Sequence, residues 1–176
     1  SLRGELVSRS PYPERLDFMD FIAVFGAVYE HSPWVAEAVY PSLKPCIDAV
    51  SMAEQMRSVV DTTSDKLKLD LLCAHPDLAG RLSLAELTES SRSEQTGAGL
   101  DRCTPEELDE FQKLNAAYIE KFGFPFIFAV KGYHRTDILE AFRVRVSHSR
   151  EEEFKIAIEQ VHRIARLRLE TIADEC

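Results

Sequence analysis

Turn-forming residues are scarce in this sequence, and that scarcity constrains the fold more than any other feature. The 176 residues include only seven glycines and eight prolines, so there are few positions at which an element must end. The apolar residues between these positions recur mostly every three or four residues, as they do in helices. We therefore predict an all-α fold of about eight helices, in which residues 1–176 form a single compact domain.

Start and stop signals place the helices along the chain. Thr104-Pro105 with Glu107 is a capping sequence with proline at the first helical position, and Gly123 is typical of a helix end. His75 precedes a proline, so the helix before it must end near Ala74. The further predicted helices are 16–30, 33–40 after a Ser32 cap, 46–61, one capped by Thr63 or Ser64, a short one from Ser91 to Gly97, 137–146 capped by Thr136, and 150–173 capped by Ser149.

The segment Phe124–Val130 does not fit the helical pattern. It is short, apolar and β-prone, yet no other segment is a credible partner strand, so we predict a buried extended segment. Such a segment has backbone N–H and C=O groups without ladder partners, and these groups need other partners. A planar heterocyclic ligand is one candidate, while ordinary packing in the core is the simpler interpretation.

The net charge of -9, from 21 basic and 30 acidic residues, excludes several classes of partner. Nucleic-acid binding and adsorption to anionic lipids both need a basic face. No run of 18 apolar residues predicts a membrane span. The spacing of Cys46, Cys73, Cys103 and Cys176 fits no zinc motif, and no H-x-x-x-H pair is present, so we expect free thiols and no metal site.

One arginine lies on the apolar stripe of the last helix. The stripe runs through Phe154, Ile158, Val161 and Ala165, and its next position is Arg168. An arginine on a buried stripe must either pair with a core carboxylate or face a cleft. A guanidinium in a cleft is suited to binding a carboxylate ligand.

Two further polar residues are candidates for chemistry. His75 follows a helix end, where it leaves the helix axis, and a histidine titrates near neutral pH. Glu94 lies just before Gly97 and Gly99, where the backbone can approach a ligand closely. Both also have plain structural interpretations, since Glu94 is the third residue after a possible Ser91 cap.

Five segments together resemble one known family. They are His75-Pro76-Asp77-Leu78-Ala79-Gly80, the run from Ser91 to Leu100, Leu114-Asn115-Ala116-Ala117-Tyr118, Lys121-Phe122-Gly123-Phe124-Pro125-Phe126-Ile127, and Ile164-Ala165-Arg166-Leu167-Arg168-Leu169. In this order they resemble the family that decarboxylates 2-oxo-4-hydroxy-4-carboxy-5-ureidoimidazoline (OHCU) to (S)-allantoin, the last step of urate oxidation. The resemblance extends roughly from Asp17 to Ile172.

The resemblance implies an all-α homodimer that uses no metal or organic cofactor. It also implies site residues, with His75, Glu94 and Arg168 in catalytic roles. The implied substrate contacts are Pro76, Ser91, Arg92, Ser93, Gln95 and the segment Phe126, Ile127, Phe128, Ala129 and Val130. The expected partner is the small ureidoimidazoline substrate, with no nucleic acid and no membrane.

Two other functions stay open at the level of sequence. His75 and Glu94 could activate water in a hydrolase that acts on a related ureido heterocycle. The fold could also serve as a non-catalytic interaction module, although such a module would be expected to lose some of the polar set. The expected location is the cytoplasm, or the peroxisome for a eukaryotic chain whose C-terminal signal is missing.

Overall fold

The computed structural model describes residues 16–45, 48–78 and 99–174, and these residues form seven α-helices. The described part of the chain contains no strand, which confirms the all-α prediction. The helices are α1 Phe18–Phe25, α2 Trp34–Val39, α3 Ala49–Asp61, α4 Asp65–Ala74, α5 Pro105–Phe122, α6 Arg135–Arg145 and α7 Arg150–Asp174. Short 3-10 turns span Tyr40–Ser42 and Leu100–Arg102. The short helix predicted from Ser91 lies outside the described residues.

Local capping chemistry sets several helix ends as predicted. The Thr104 side chain accepts from the Glu107 N–H at 3.1 Å, and the Glu107 carboxylate accepts from the Thr104 N–H at 3.0 Å. The hydrogen bond from the Thr104 N–H contributes most to lowering the pKa of Glu107, and the hydrogen bond from Arg135 contributes next. Gly123 ends α5 with φ of 78°, a left-handed conformation that suits glycine. Ser149 caps α7 through the Glu152 N–H at 3.2 Å.

Several predicted helix ends are wrong. The helix predicted from residue 46 begins at Ala49, because the Asp48 side chain caps it by accepting from the Ser51 N–H. The first helix ends at Phe25 rather than at residue 30. The prediction was too long because apolar residues continue into the following turns, where Val28 and Tyr29 are buried without being helical. The second helix begins at Trp34 without a side-chain cap, so the predicted Ser32 cap does not form. The cap of α6 is His134 rather than Thr136.

The chain divides into two compact units. The first comprises Ser1–Lys68 and His162–Cys176, and the second comprises Leu69–Val161. In the first unit α2 contacts α1 and α3. Its core consists largely of fully buried side chains, among them Phe21, Phe25, Val35, Met52, Met56 and Val60. A single domain for the whole chain stays a prediction.

The core of the second unit is aromatic. Phe126 stacks on Phe142 of α6 at 3.8 Å between ring centroids, and Tyr118 of α5 meets both rings edge-on. The segment that follows α5 is therefore buried in this core, as the sequence predicted: Phe124, Phe126 and Ile127 are each at most 1% exposed. It adopts neither helix nor strand.

Helix α7 contributes residues to both units. Its stripe is buried as predicted from Ile158 through Arg168, while Arg163 and Arg166 are exposed. None of the helices that the structure describes is long and apolar enough to cross a membrane.

Candidate active site

His75 lies in the turn that ends α4. The helix ends at Ala74, as the pre-proline position requires, and the His75 N–H donates to the Leu72 carbonyl at 3.2 Å. The imidazole is half-buried, and Pro76 behind it is buried. Two residues further on, the Asp77 carboxylate accepts a hydrogen bond of 2.8 Å from Asn115 on α5. The turn is therefore tied to two helices.

The segment Phe126–Val130 is held by side chains from two other helices. Arg145 of α6 donates from Nη1 to the Ile127 carbonyl at 2.6 Å, and its guanidinium lies 4.4 Å from the centre of the Phe126 ring. Gln160 of α7 accepts from the Ala129 N–H at 2.8 Å. These bonds satisfy part of the backbone that the sequence left without partners. Within the described residues, the Phe128 N–H and C=O make no hydrogen bond.

A buried carboxylate holds Arg145 in place. Glu153 of α7 is fully buried and accepts from Nε and Nη2 of Arg145 at 2.9–3.2 Å. The Tyr118 hydroxyl donates to the same carboxylate at 2.6 Å, and His148 Nδ1 lies 2.9 Å from it. Burial, and next the hydrogen bond to Glu153, raise the pKa of Tyr118, so the phenol stays protonated. The result is a network of polar side chains, centred on the buried Glu153, that reaches the Ile127 carbonyl through Arg145.

Arg168 has a core carboxylate as its partner in the first unit. Nη2 lies 3.2 Å from Oε2 of Glu30, and Nη1 donates to the Val28 carbonyl at 3.4 Å. Both side chains are at most 5% exposed. This is the pairing that the structural interpretation of Arg168 expected. A role in binding substrate stays a prediction.

A second group of hydrogen-bonded polar side chains includes His162, six residues before Arg168 on α7. His162 Nδ1 is 2.7 Å from the Tyr29 hydroxyl, and Nε2 is 2.8 Å from the Asp61 carboxylate. Because a carboxylate only accepts, Nε2 carries a proton, and in the neutral imidazole Nδ1 then accepts from the Tyr29 hydroxyl. Arg57 lies 3.3 Å from the same aspartate. These hydrogen bonds hold the side chain of Tyr29, which immediately precedes Glu30.

The predicted site residues fall into three groups. His75, Pro76 and the segment 126–130 belong to the second unit, while Arg168 belongs to the first. Ser91, Arg92, Ser93, Glu94 and Gln95 lie outside the described residues, and their roles stay predictions. Within the described residues, no group of three or more histidine, cysteine, aspartate or glutamate side chains could hold a metal ion.

Sequence reasoning missed several of the polar residues that support these segments. Asn115 gave a signal, because it interrupts an apolar stripe, whereas Glu30 gave little, because it is followed by His31 and Ser32 at the end of an apolar run. Arg145 and Glu153 gave little, because alternating or repeated charges usually mark a solvated face. Their burial depends on partners from other parts of the unit.

Comparisons with known proteins identify the family. The profile of the OHCU decarboxylase family matches residues 14–170. A 2-oxo-4-hydroxy-4-carboxy-5-ureidoimidazoline decarboxylase of Haloferax volcanii is 43% identical over 155 residues, which are 88% of this chain and 90% of that protein. These matches define the chain as one of the decarboxylases. It belongs to the OHCU decarboxylase family.

Two solved structures share the fold. The crystal structure of an (S)-allantoin synthase superposes with a TM-score of 0.73 at 34% identity, covering 97% of this chain and 53% of that one, so this chain spans about half of it. The structure of an OHCU decarboxylase in the presence of (S)-allantoin gives a TM-score of 0.66 over 88% of this chain and 97% of that chain. Its identity of 20% supports agreement of the fold alone.

Proposed function

We propose that this chain decarboxylates OHCU to (S)-allantoin as the last step of urate oxidation. The observation that carries the proposal is the 43% identity over 90% of the Haloferax volcanii decarboxylase. The half-buried His75 in a braced turn and the braced segment 126–130 support it. Both features lie in the same unit of the chain.

The chemistry of this substrate suits a polar pocket. The carboxylate is attached to a ring carbon beside a C=N bond. When the C–C bond breaks, CO2 leaves and the electron pair moves toward the imine, so the substrate itself accepts the electrons. One proton must then be delivered to one face of the ring. An enzyme has to hold the anion, control the neighbouring hydroxyl and direct that proton.

We assign proton transfer to His75 and the anchoring of an anionic substrate group to Arg168. Glu94 orients the hydroxyl or His75. Gln95 and the backbone of 126–130 hold the ureido and ring amides, with Pro76, Ser91, Arg92 and Ser93 as further contacts. The Phe128 N–H and C=O support this assignment, because no residue described by the structure uses them.

The decisive experiment follows the chirality of the product. The protein is mixed with substrate generated freshly from urate by urate oxidase and the hydrolase, and circular dichroism reports the excess of (S)-allantoin. An excess over the spontaneous reaction, together with released CO2, is expected. Racemic product would refute the proposal. An open-ring product without CO2 would favour the alternative function, in which this protein hydrolyses a ureido heterocycle.

The role of His75 is tested by His75→Ala, which should abolish turnover and leave the helical signal intact. The control is His134→Ala, which removes an exposed histidine that caps α6. The control should keep its turnover and lose about 1 kcal/mol of stability, the usual effect of a lost cap. An unfolded His75→Ala protein would instead show that His75 is structural.

We also propose the finer features that the family resemblance implies, namely a single-domain homodimer in the cytoplasm that uses no cofactor. The uninterrupted match over residues 14–170 supports one domain. Exposed apolar residues on α1, Met19 at 74% and Phe18 at 42%, support a second copy as the partner. Cys73, which forms no disulfide among the described residues, suits a reducing compartment. Light scattering should report a dimer that Met19→Glu dissociates, and a monomeric wild-type protein would refute that part.

A further inference from the structure

Asn115 occupies a position in α5 that an apolar residue would fill in a plain core. Phe111 and Tyr118 lie on the same stripe, one turn away on either side, and both are buried. Asn115 is only 6% exposed, and its Oδ1 has no hydrogen-bond partner among the described residues. A buried carbonyl without a partner lowers stability, so packing alone does not account for an amide here.

The other end of the amide makes a well-defined contact. Nδ2 donates to Oδ2 of Asp77 at 2.8 Å, across 38 residues of sequence. The orientation of the amide follows from chemistry, because a carboxylate only accepts and the nitrogen must therefore face it. The bond joins α5 to the segment that carries His75.

The chain between α4 and Asp77 has little freedom. The His75 N–H is bonded to the Leu72 carbonyl at 3.2 Å, and the buried Pro76 has a fixed φ. A residue before proline is itself restricted. Once Asp77 is held by Asn115, both ends of this short link are held, and this limits the directions in which the His75 side chain can leave the backbone.

We propose that Asn115 is a positioning residue, which acts through Asp77 to hold the His75 imidazole in its working orientation. The inference rests on the proposed function for the role of His75 in turnover. Asn115 touches no reacting atom in this scheme. Its effect is therefore on the rate of proton transfer rather than on the binding of substrate.

A reversal of donor and acceptor tests the link. Asn115→Asp places two carboxylates at the 2.8 Å contact, where both cannot stay ionised. The double variant Asn115→Asp with Asp77→Asn restores one donor and one acceptor with their positions exchanged. Gln112→Ala, which removes an exposed amide from the same helix, is the matched control.

We expect kcat of Asn115→Asp to fall by about 10- to 100-fold, as misplacement of a reacting group by up to about 1 Å can produce, while KM changes much less. Activity should recover partly on the acid side, where one carboxyl takes up a proton. The double variant should return kcat toward the wild-type value. Asp77→Asn alone keeps an acceptor for Asn115 and should stay active, whereas Asp77→Leu removes the acceptor and should lose activity. If Asn115→Asp does not fold, the comparison of these two Asp77 variants tests the positioning role.

A second measurement does not depend on turnover. The imidazole signal of His75, identified as the NMR resonance missing from His75→Gln, should move in Asn115→Asp and return in the double variant. Signals that stay in place, or a double variant that regains thermal stability but not kcat, would overturn the positioning role. If the wild-type protein shows no turnover, the proposed function fails by itself, and the NMR signals alone decide whether Asn115 positions His75.

Discussion

Replacing Glu153 with glutamine should destabilise the protein more than any exposed charge change. Glu153 is fully buried and receives hydrogen bonds from Arg145 and Tyr118, with His148 in contact. Glutamine keeps the size of the side chain, but it removes the negative charge and presents an NH2 group to side chains that donate. Arg145, whose side chain is 8% exposed, would then be a buried cation without its counter-ion.

The expected loss follows from this geometry. Removing one member of a buried ion pair costs about 3–5 kcal/mol, because the remaining charge stays desolvated. In a chain of 176 residues, a loss of 1 kcal/mol lowers Tm by about 2–4 °C. Glu153→Gln should therefore lower Tm by about 6–20 °C. Thermal unfolding followed by circular dichroism at pH 7, with urea unfolding as a check, measures both quantities.

Two comparisons separate charge from hydrogen bonding. Glu151→Gln changes a carboxylate that is 85% exposed and 3.8 Å from Lys155, and it should alter stability by at most about 1 kcal/mol. Tyr118→Phe removes one hydrogen bond to the Glu153 carboxylate and keeps the charge, so it should cost about 1.5–3 kcal/mol. If Glu153→Gln behaved like Glu151→Gln, the carboxylate would not be supporting a buried cation, and the reasoning would be wrong.

Three further predictions follow from other charged groups. The pKa of Glu107 is lower in the folded protein than its ordinary value of about 4.5, so the ionised carboxylate stabilises the fold at pH values above 4.5. This contribution is lost as the pH falls through the folded-state pKa of Glu107. Glu107→Gln should therefore destabilise the protein at pH 7 and have less effect at pH 3 in urea unfolding. Arg168→Met removes the guanidinium that lies 3.2 Å from the buried Glu30 carboxylate, so it should cost about 3–5 kcal/mol in addition to weakening substrate binding, and a variant as stable as the wild type would show that this ion pair does not support the core. Burial, and next the charge of Asp70, raise the pKa of Cys73, so iodoacetamide should modify this thiol more slowly at pH 8 in the folded than in the unfolded protein.

Helix ends were predictable where the signal is local. The capping box of Thr104 with Glu107 and the glycine at 123 act within one turn, so the sequence contains both partners. The end of α1 was not predictable in this way, because Val28 and Tyr29 are apolar and buried whether or not the chain is helical. Burial depends on the assembled core. The spacing of apolar residues in the sequence indicates which residues are buried, but it does not show whether those residues are helical.

The candidate site shows the same boundary between local and distant causes. The stripe of α7 predicted the burial of Arg168, but its partner Glu30 lies 138 residues away and became visible only in the fold. Among three consecutive glutamates at the start of α7, Glu153 alone is buried. Nothing in that run distinguishes it, because the choice is made by Arg145 and Tyr118 from other helices.

Three polar side chains of this protein perform a task that an all-helical fold imposes. A buried loop in such a fold has no strand beside it, so its carbonyls and N–H groups must be satisfied by side chains. Arg168 bonds the Val28 carbonyl, Arg145 bonds the Ile127 carbonyl, and Gln160 bonds the Ala129 N–H. Each of these three side chains projects from a helix toward a non-helical segment. In these three cases, a polar residue on a helix lies beside a buried non-helical segment whose backbone needs a partner.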